Sequence, residues 1–372
     1  MTKYRFDEIA INSTQKKKPT EEDKVYYIGL EHIDPGCFDV VRWGSDVAPT
    51  GDKLLMQKGD VLFGKRRAYQ RKVAIAPLDG IFSAHGMVLR PNLKVIDANY
   101  FPFFISSDKF MDVAIRISVG GLSPTINWKD LAKQEFELPS LEEQKVLADK
   151  LWAAYRLKQA YKKLLAATDE MVKSQFIEMF GNCKSQGTLS SLCATFIDGD
   201  WIESKDQSDN GIRLIQTGNV GFGFFKGRED KSRYITEETF KKLNCTEVVP
   251  GDILISRLPD PIGRACIVPE GIGKAITAVD CTIVRLNATL LPEFLISFSK
   301  TALYASQINK IKTGTTRLRV SRGNLGNVII PIPPIESQHR FAAIAQQADK
   351  SKFELRKSID AIDKVIKSLI NN

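Results

Sequence analysis

Two short stretches gather side chains able to bind a polyanion. Residues 64–72, GKRRAYQRK, place Lys65, Arg66, Arg67, Arg71 and Lys72 around Tyr69 and Gln70, just after an apolar run. Residues 313–322, TGTTRLRVSR, set Arg317, Arg319 and Arg322 among the hydroxyls of Thr315 and Thr316. Arg257 and Arg264 add two cations to the same half of the chain. Arg and Lys neutralise phosphates or read guanine edges, Gln reads adenine, and Gly and Thr let the backbone come close. One such cluster describes a solvated loop as readily as a contact surface. Two of them, in a chain that otherwise lacks chemistry, point to DNA.

That lack is informative. No G-x-x-x-x-G-K-[ST] loop occurs, so NTP hydrolysis is not expected. His32, His85 and His339 sit in unrelated contexts and read as structural or surface residues. The carboxylate pairs Glu142/Glu143 and Glu237/Glu238 read as solvated helix faces. Six cysteines, Cys37, Cys183, Cys193, Cys245, Cys266 and Cys281, lie far apart with no C-x-x-C pair, which indicates neither a zinc site nor a disulfide framework. The tetrapeptide IPPI at residues 332–335 differs from the polar-Pro-Pro-aromatic motif of amino-methyltransferases where it matters: isoleucine neither accepts from a target amine nor stacks on a flipped base. GFGFFKG, from Gly221, follows no clear strand and opens no helix, so it is not a dinucleotide fingerprint.

Composition bounds the rest. With 372 residues, 43% of them hydrophobic, the chain can bury a full core and form two or three domains. No apolar run approaches the roughly 20 residues of a membrane helix, and the N-terminus lacks a signal-like apolar core, so a cytoplasmic protein is expected, with no membrane partner. The net charge of +9 is spread as +2, +2, +3 and +2 over segments divided at residues 140, 187 and 330. Local clustering, not a basic tail, therefore has to carry any polyanion contact.

The elements that must position the clusters occur twice. GDVLFGK at residues 59–65 matches GDILISR at 251–257 with a shift of 192, and Gly120, Leu131, Pro139, Glu142 and Gln144 recur as Gly314, Leu325, Pro333, Glu336 and Gln338 with a shift of 194. Each half reads first as short strands, DVLFGK, KVAIAP and GMVLRP, then DILISR, ACIVPE and DCTIVRL, punctuated by Gly, Pro and Asp. A long helix closes each half. The first is announced by Ser140 and Glu143, a capping box, and should stop at Gly181; the second follows Pro333 and Pro334 without a box. Leu147, Leu151, Ala154, Lys158, Tyr161, Leu165, Thr168 and Val172 are spaced alternately by four and three, and the shift of 194 lands on Phe341, Ala345, Ala348, Lys352, Leu355, Ile359, Ile362 and Ile366. This is a heptad seam with a lysine near the middle of both copies. The expected fold is α+β: two pseudo-symmetric globular domains, 1–140 and 182–334, separated by two long helices, 141–181 and 335–372, that form an antiparallel coiled coil.

The repeated strand GDVLF or GDILI, the following Gly-Ser-rich or Gly-Thr-rich turn, and ELPSLEEQ or PIPPIESQ opening a long helix resemble the specificity subunits of type I restriction-modification systems. The resemblance covers nearly the whole chain. It implies two target recognition domains, each reading half of a split DNA sequence, and two helices that set the spacer and dock methyltransferase subunits. It also implies restriction subunits that join the complex, and S-adenosylmethionine, ATP and Mg carried by those partners, with no cofactor or metal on this chain and no catalysis by it. The first copy departs from the family pattern: LPSLEEQ has one proline where two are usual, and the turn GGLSPTIN lacks the arginines of GTTRLRVS. Two rival readings are a recognition module of a combined methyltransferase or nuclease, and a coiled-coil adaptor that binds no DNA.

Overall fold

The apolar runs GDVLF and GDILI each become an inner strand of a four-stranded antiparallel sheet in the computed structural model, which describes residues 1–371. By packing, the chain divides into two units, Met1–Lys162 with the segment from Arg356 onward, and Lys163–Leu355. Each unit thus holds one globular domain and a stretch of both long helices, so packing cuts the helices in mid-course while element type separates them from the domains.

In the first unit the sheet runs Ala10–Ser13, Met87–Pro91, Val61–Phe63, Val73–Ile75; in the second it runs Cys193–Asp198, Cys281–Leu286, Ile253–Ser256, Ala265–Ile267. Alternation along the inner strand explains its unbroken apolar sequence. Val61 and Phe63 face the larger core with Val73, Met87 and Leu89, while Leu62 faces a smaller one with Ala74 and Val88. In the second unit Ile253 and Ile255 take the first role, Leu254 and Cys266 the second. A strand covered on both faces needs apolar side chains at every position. A buried aspartate braces each sheet from the same place in the repeat: Asp60 accepts from Arg90 at 2.7 and 2.9 Å, and Asp252 from Arg285 at 2.7 and 3.0 Å.

A smaller sheet follows the same plan, with Tyr27–Ile28 parallel to Gly80–Phe82 in one unit and Ile212–Ile215 parallel to Ala275–Thr277 in the other. A two-stranded ribbon closes each domain, Thr2–Arg5 on Glu135–Leu138 and Gln186–Thr188 on Ile329–Pro331. Each ribbon delivers the chain to the start of a long helix.

The helices span Leu141–Phe180, 40 residues, and Ile335–Asn371, 37 residues, or about 60 and 55 Å at 1.5 Å per residue. The Ser140 Oγ accepts from the Glu143 amide at 3.3 Å, and the Glu143 carboxylate accepts from the Ser140 hydroxyl at 2.8 Å and the Ser140 amide at 2.9 Å; the hydroxyl bond first and the amide bond second hold the Glu143 carboxyl below its usual pKa. All sixteen seam positions are buried or half-buried. In the first unit Leu151 and Ile370 share one core and Lys158 pairs with Asp363, so the two segments run antiparallel. In the second unit Phe180 packs on Phe341 at 5.6 Å and Asp169 pairs with Lys352 at 2.8 Å, which is antiparallel again. Burial opposes the Lys352 charge, and the bonds to Asp169 and Asp349 outweigh it, keeping the ammonium's pKa above the usual lysine value.

What joins helix to domain is a fully buried glutamine in each copy. Gln144 accepts from the Asp97 amide at 2.8 Å and donates to the Val95 and Pro139 carbonyls at 3.1 and 2.9 Å. Gln338 accepts from the Leu291 amide at 2.8 Å and donates to the Thr289 and Pro333 carbonyls at 3.0 and 2.8 Å. Removing either amide strands a buried N–H and two carbonyls. Gln144→Ala and Gln338→Ala are each expected to cost about 1–3 kcal/mol, more than an exposed control such as Glu142→Ala. Urea unfolding of the full chain measures this, and an unchanged midpoint for both variants would contradict the assignment.

Candidate nucleic-acid interface

The two basic stretches are built on the same joint. In the first domain the chain leaves Val61–Phe63 through Lys65, whose carbonyl accepts from the Ile126 amide at 3.1 Å. Just before Ile126 lies a closed turn in which Val119 and Thr125 exchange backbone bonds of 3.0 and 2.9 Å. In the second domain the Arg257 carbonyl accepts from the Val320 amide at 3.2 Å, and Thr313 and Arg319 exchange bonds of 2.9 Å. Each domain therefore seats a Gly-containing turn on the basic residue that ends its inner strand. Gly120 at φ +113° and Gly314 at φ +105° start these turns in a region open to glycine alone at low cost.

The turn of the second domain presents its own cations. Thr315, Thr316, Arg317 and Arg319 on the turn, and Arg322 just after it, are exposed, and the three guanidinium groups have no hydrogen-bond or ion-pair partner among the described residues. The turn of the first domain has no arginine, and the loop beside it supplies them. The Arg67 amide donates to the Pro124 carbonyl at 2.7 Å, and its guanidinium reaches the Ser123 hydroxyl at 3.2 and 3.0 Å. The Arg66 amide donates to the His85 carbonyl at 3.1 Å, with its guanidinium 3.4 Å from the His85 ring. Leu122 stands at the tip of this turn, 96% exposed.

Burial, with nearby Lys16, pushes the Lys65 ammonium below the usual lysine range. Burial, then Arg66, Lys65 and Lys53, pushes the His85 imidazole below its ordinary value. Exposed Lys16 and His85 thus lie near the cations of residues 64–72, whereas Lys53 is buried and donates to the Thr50 and Gly51 carbonyls. Tyr69 is exposed and Gln70 half-buried on the short turn between Arg67 and Arg71.

Four of the cations named from sequence hold the domain together instead of facing outward. Arg71 donates to the Asp108 carboxylate and the Ser106 carbonyl. Lys72 donates to the Leu30 carbonyl. Arg264, its counterpart at a shift of 192, is 8% exposed and donates to the carbonyls of Thr217, Val220, Pro259 and Pro261 and to the Ser256 hydroxyl. Arg257 pairs with Asp198 at 3.3 Å, donates to the Val279 and Val320 carbonyls, and keeps a buried Nε without a partner. Loop carbonyls folded inward need donors, and a long cation reaches several at once. Charge count in a sequence does not reveal that demand.

Among the described residues no group of three or more His, Cys, Asp and Glu side chains is placed to hold a metal ion, and no helix is long and apolar enough to cross a membrane. Burial pushes the Cys266 and Cys281 thiols up to about 12, far from nucleophilic use.

Two copies of one cation-presenting module, each packed with its own stretch of paired helix, define the class: a duplicated, cation-presenting α+β protein. The profile of the type I restriction modification DNA specificity domain matches residues 4–166 and 187–363, and the chain belongs to that family. The type I restriction enzyme EcoKI specificity subunit of Escherichia coli K12 is 20% identical over 94% of this chain and 82% of its own. The MjaVIII specificity subunit of Methanocaldococcus jannaschii is 21% identical over 95% and 88%. The fold is shared with the type I restriction-modification S subunit of M. genitalium (TM-score 0.57, 13% identity, 99% of this chain and 94% of that one) and with a chain from a structural study of type I complex assembly and conformational transition (TM-score 0.59, 18%, 99% and 96%).

The inward cations and the outward ones should separate on mutation. Arg264→Ala is expected to destabilise the chain by about 2–4 kcal/mol, since it orphans several buried acceptors, whereas Arg317→Ala stays within about 0.5 kcal/mol of the parent. Chemical unfolding of the two variants checks the contrast; equal midpoints would refute it.

Proposed function

We propose that this chain is the non-catalytic sequence-recognition and scaffold subunit of a cytoplasmic type I restriction-modification complex. Each recognition domain reads one half of a bipartite double-stranded DNA target, and the paired helices set the spacer and dock methyltransferase subunits. Adenine methylation with S-adenosylmethionine, and ATP- and Mg-dependent translocation and cleavage, belong to methyltransferase and restriction partners.

The observation that carries the reading is the duplicated joint: a turn seated just past the end of an inner strand, with cations that no carboxylate neutralises on it or beside it, in both domains of a member of this family. For docking, the first long helix has a row beside its buried seam, Ala153, Leu157, Ala160, Leu164, Ala167 and Met171, again spaced by four and three and all exposed. Apolar residues at heptad spacing on an exposed face suit a partner helix.

Two outcomes test the reading. Arg317→Ala with Arg319→Ala should weaken binding of the full chain to duplex DNA. It should lower the slope of log affinity against log salt by about one unit for each phosphate no longer neutralised, while removal of a base-reading side chain costs about 1–3 kcal/mol at one position only. Unchanged affinity and slope would remove the turn from the interface. For the ruler, seven residues inserted after Lys162 and seven after Leu355 lengthen both helices by two turns while sparing the packing internal to each unit. The methylated motif, read by sequencing genomic DNA from cells expressing the variant with its methyltransferase, should keep both half-sites and gain about 3 bp of spacer, since about 10 Å of helix matches the 3.4 Å rise per base pair. Altered half-sites over an unchanged spacer would sink the ruler.

A further inference from the structure

The second domain has a cation-lined pocket that the basic stretches do not include. Gln216, Asn219, Arg228, Lys231, Ser232 and Arg233 line a cavity of about 400 Å³. It is joined to the turn at 313–319 through Arg264 and the Asp260–Lys312 pair. Arg264 bonds the Thr217 and Val220 carbonyls on one side and the Pro259 and Pro261 carbonyls on the other, and Asp260, between those prolines, pairs with Lys312 at 2.6 Å.

The pocket's floor is preorganised and its walls are free. Asn219 accepts from the Gln216 amide at 3.0 Å and donates to the Lys226 and Gly227 carbonyls at 2.9 and 3.0 Å, which uses up its side chain in closing the loop. The Gln216 side-chain amide, the Arg228 guanidinium and the Lys231 ammonium have no side-chain partner among the described residues, and Arg233 makes one 3.3 Å bond to Gln207. Of the acids beside it, Glu229 is engaged by Arg213 at 3.1 Å. The Arg228 guanidinium lies so close to Gly218 that a Cβ there would stand 2.1 Å from its Nη1, and the Arg228 backbone holds φ +51°. A left-handed non-glycine residue is costly and marks a loop shaped for something other than stability.

The first domain has the matching turn without the cations. There the Gly29 amide donates to the His32 ring at 2.9 Å, as the Gln216 backbone amide does to Asn219, and Lys72 takes the place of Arg264. Gly29 offers no side chain, and Arg42, the cation that follows, is bound to Asp34 at 2.9 and 2.7 Å and to the Glu31 carbonyl.

We infer that the pocket of Gln216, Arg228, Lys231 and Arg233 seats DNA backbone phosphates flanking the second half-site, giving the second domain a wider footprint than the first. Unpaired guanidinium and ammonium groups with a free amide, on a closed loop, bind phosphate oxygens without reading bases. This inference rests on the DNA-recognition reading above.

The test titrates the full-length chain into two duplexes, one with the methylated motif and one scrambled, over a range of salt. Arg228→Ala with Lys231→Ala should weaken both duplexes by the same factor, about tenfold or more, and lower the salt slope by about two units. Gly218→Ala, which displaces only the Arg228 guanidinium, should reproduce about half of that slope change. Loss confined to the motif duplex would mean base reading and would overturn the phosphate assignment, as would unchanged slopes. Arg317→Ala with Arg319→Ala in the same titrations separates the two ideas: if only that variant weakens binding, the pocket is wrong and the recognition reading stands, whereas a parent chain without salt-dependent binding overturns both.

Discussion

A side-chain amide with no exposure fixes everything downstream of it. Gln144 and Gln338 each sit one turn inside a long helix and satisfy one N–H and two carbonyls of the domain behind. Because a buried amide bound on both its oxygen and its nitrogen has one orientation, the helix leaves the domain in one direction. A seam along that helix then faces one way. A hydrophobic plug would have stabilised the junction without specifying its direction.

The two repeats share the interactions that set geometry and differ in the others. Asp60 with Arg90 and Asp252 with Arg285 brace the same strand. Lys72 and Arg264 hold the same pair of loops, one with a single bond and the other with five. What differs is the outer layer: Leu122 on one turn against Arg317 and Arg319 on the other, and Gly29 where the second domain has Gln216. A scaffold held by buried polar groups tolerates changes of surface side chain at a cost within about 0.5 kcal/mol, so new surfaces can be tried without refolding the domain.

Much of this was legible before any coordinates. The six strands, the cap at Ser140 and the seam from Leu147 to Ile366 all rest on periodicity or on local residue chemistry, which a sequence displays directly. The ribbons were not visible, because Thr2–Arg5 finds Glu135–Leu138 across more than a hundred residues and neither strand is apolar enough to announce itself. The direction of each cation was hidden for a different reason. Arg257 and Arg319 look alike in sequence, yet one faces the carbonyls of Val279 and Val320 and the other faces solvent, and only the folded path of those carbonyls decides between them.

The lysines in the seam join the two repeats reciprocally. Lys158 and Asp169 in the first repeat correspond to Lys352 and Asp363 in the second, and the pairs that form are Lys158 with Asp363 and Lys352 with Asp169. Each bond joins one repeat to the other, and neither joins a repeat to itself. A chain carrying a single repeat would hold a lysine and an aspartate that it could match only with a second copy turned end for end, satisfying both bonds at once. The arrangement is that of an isologous interface, formed inside one polypeptide.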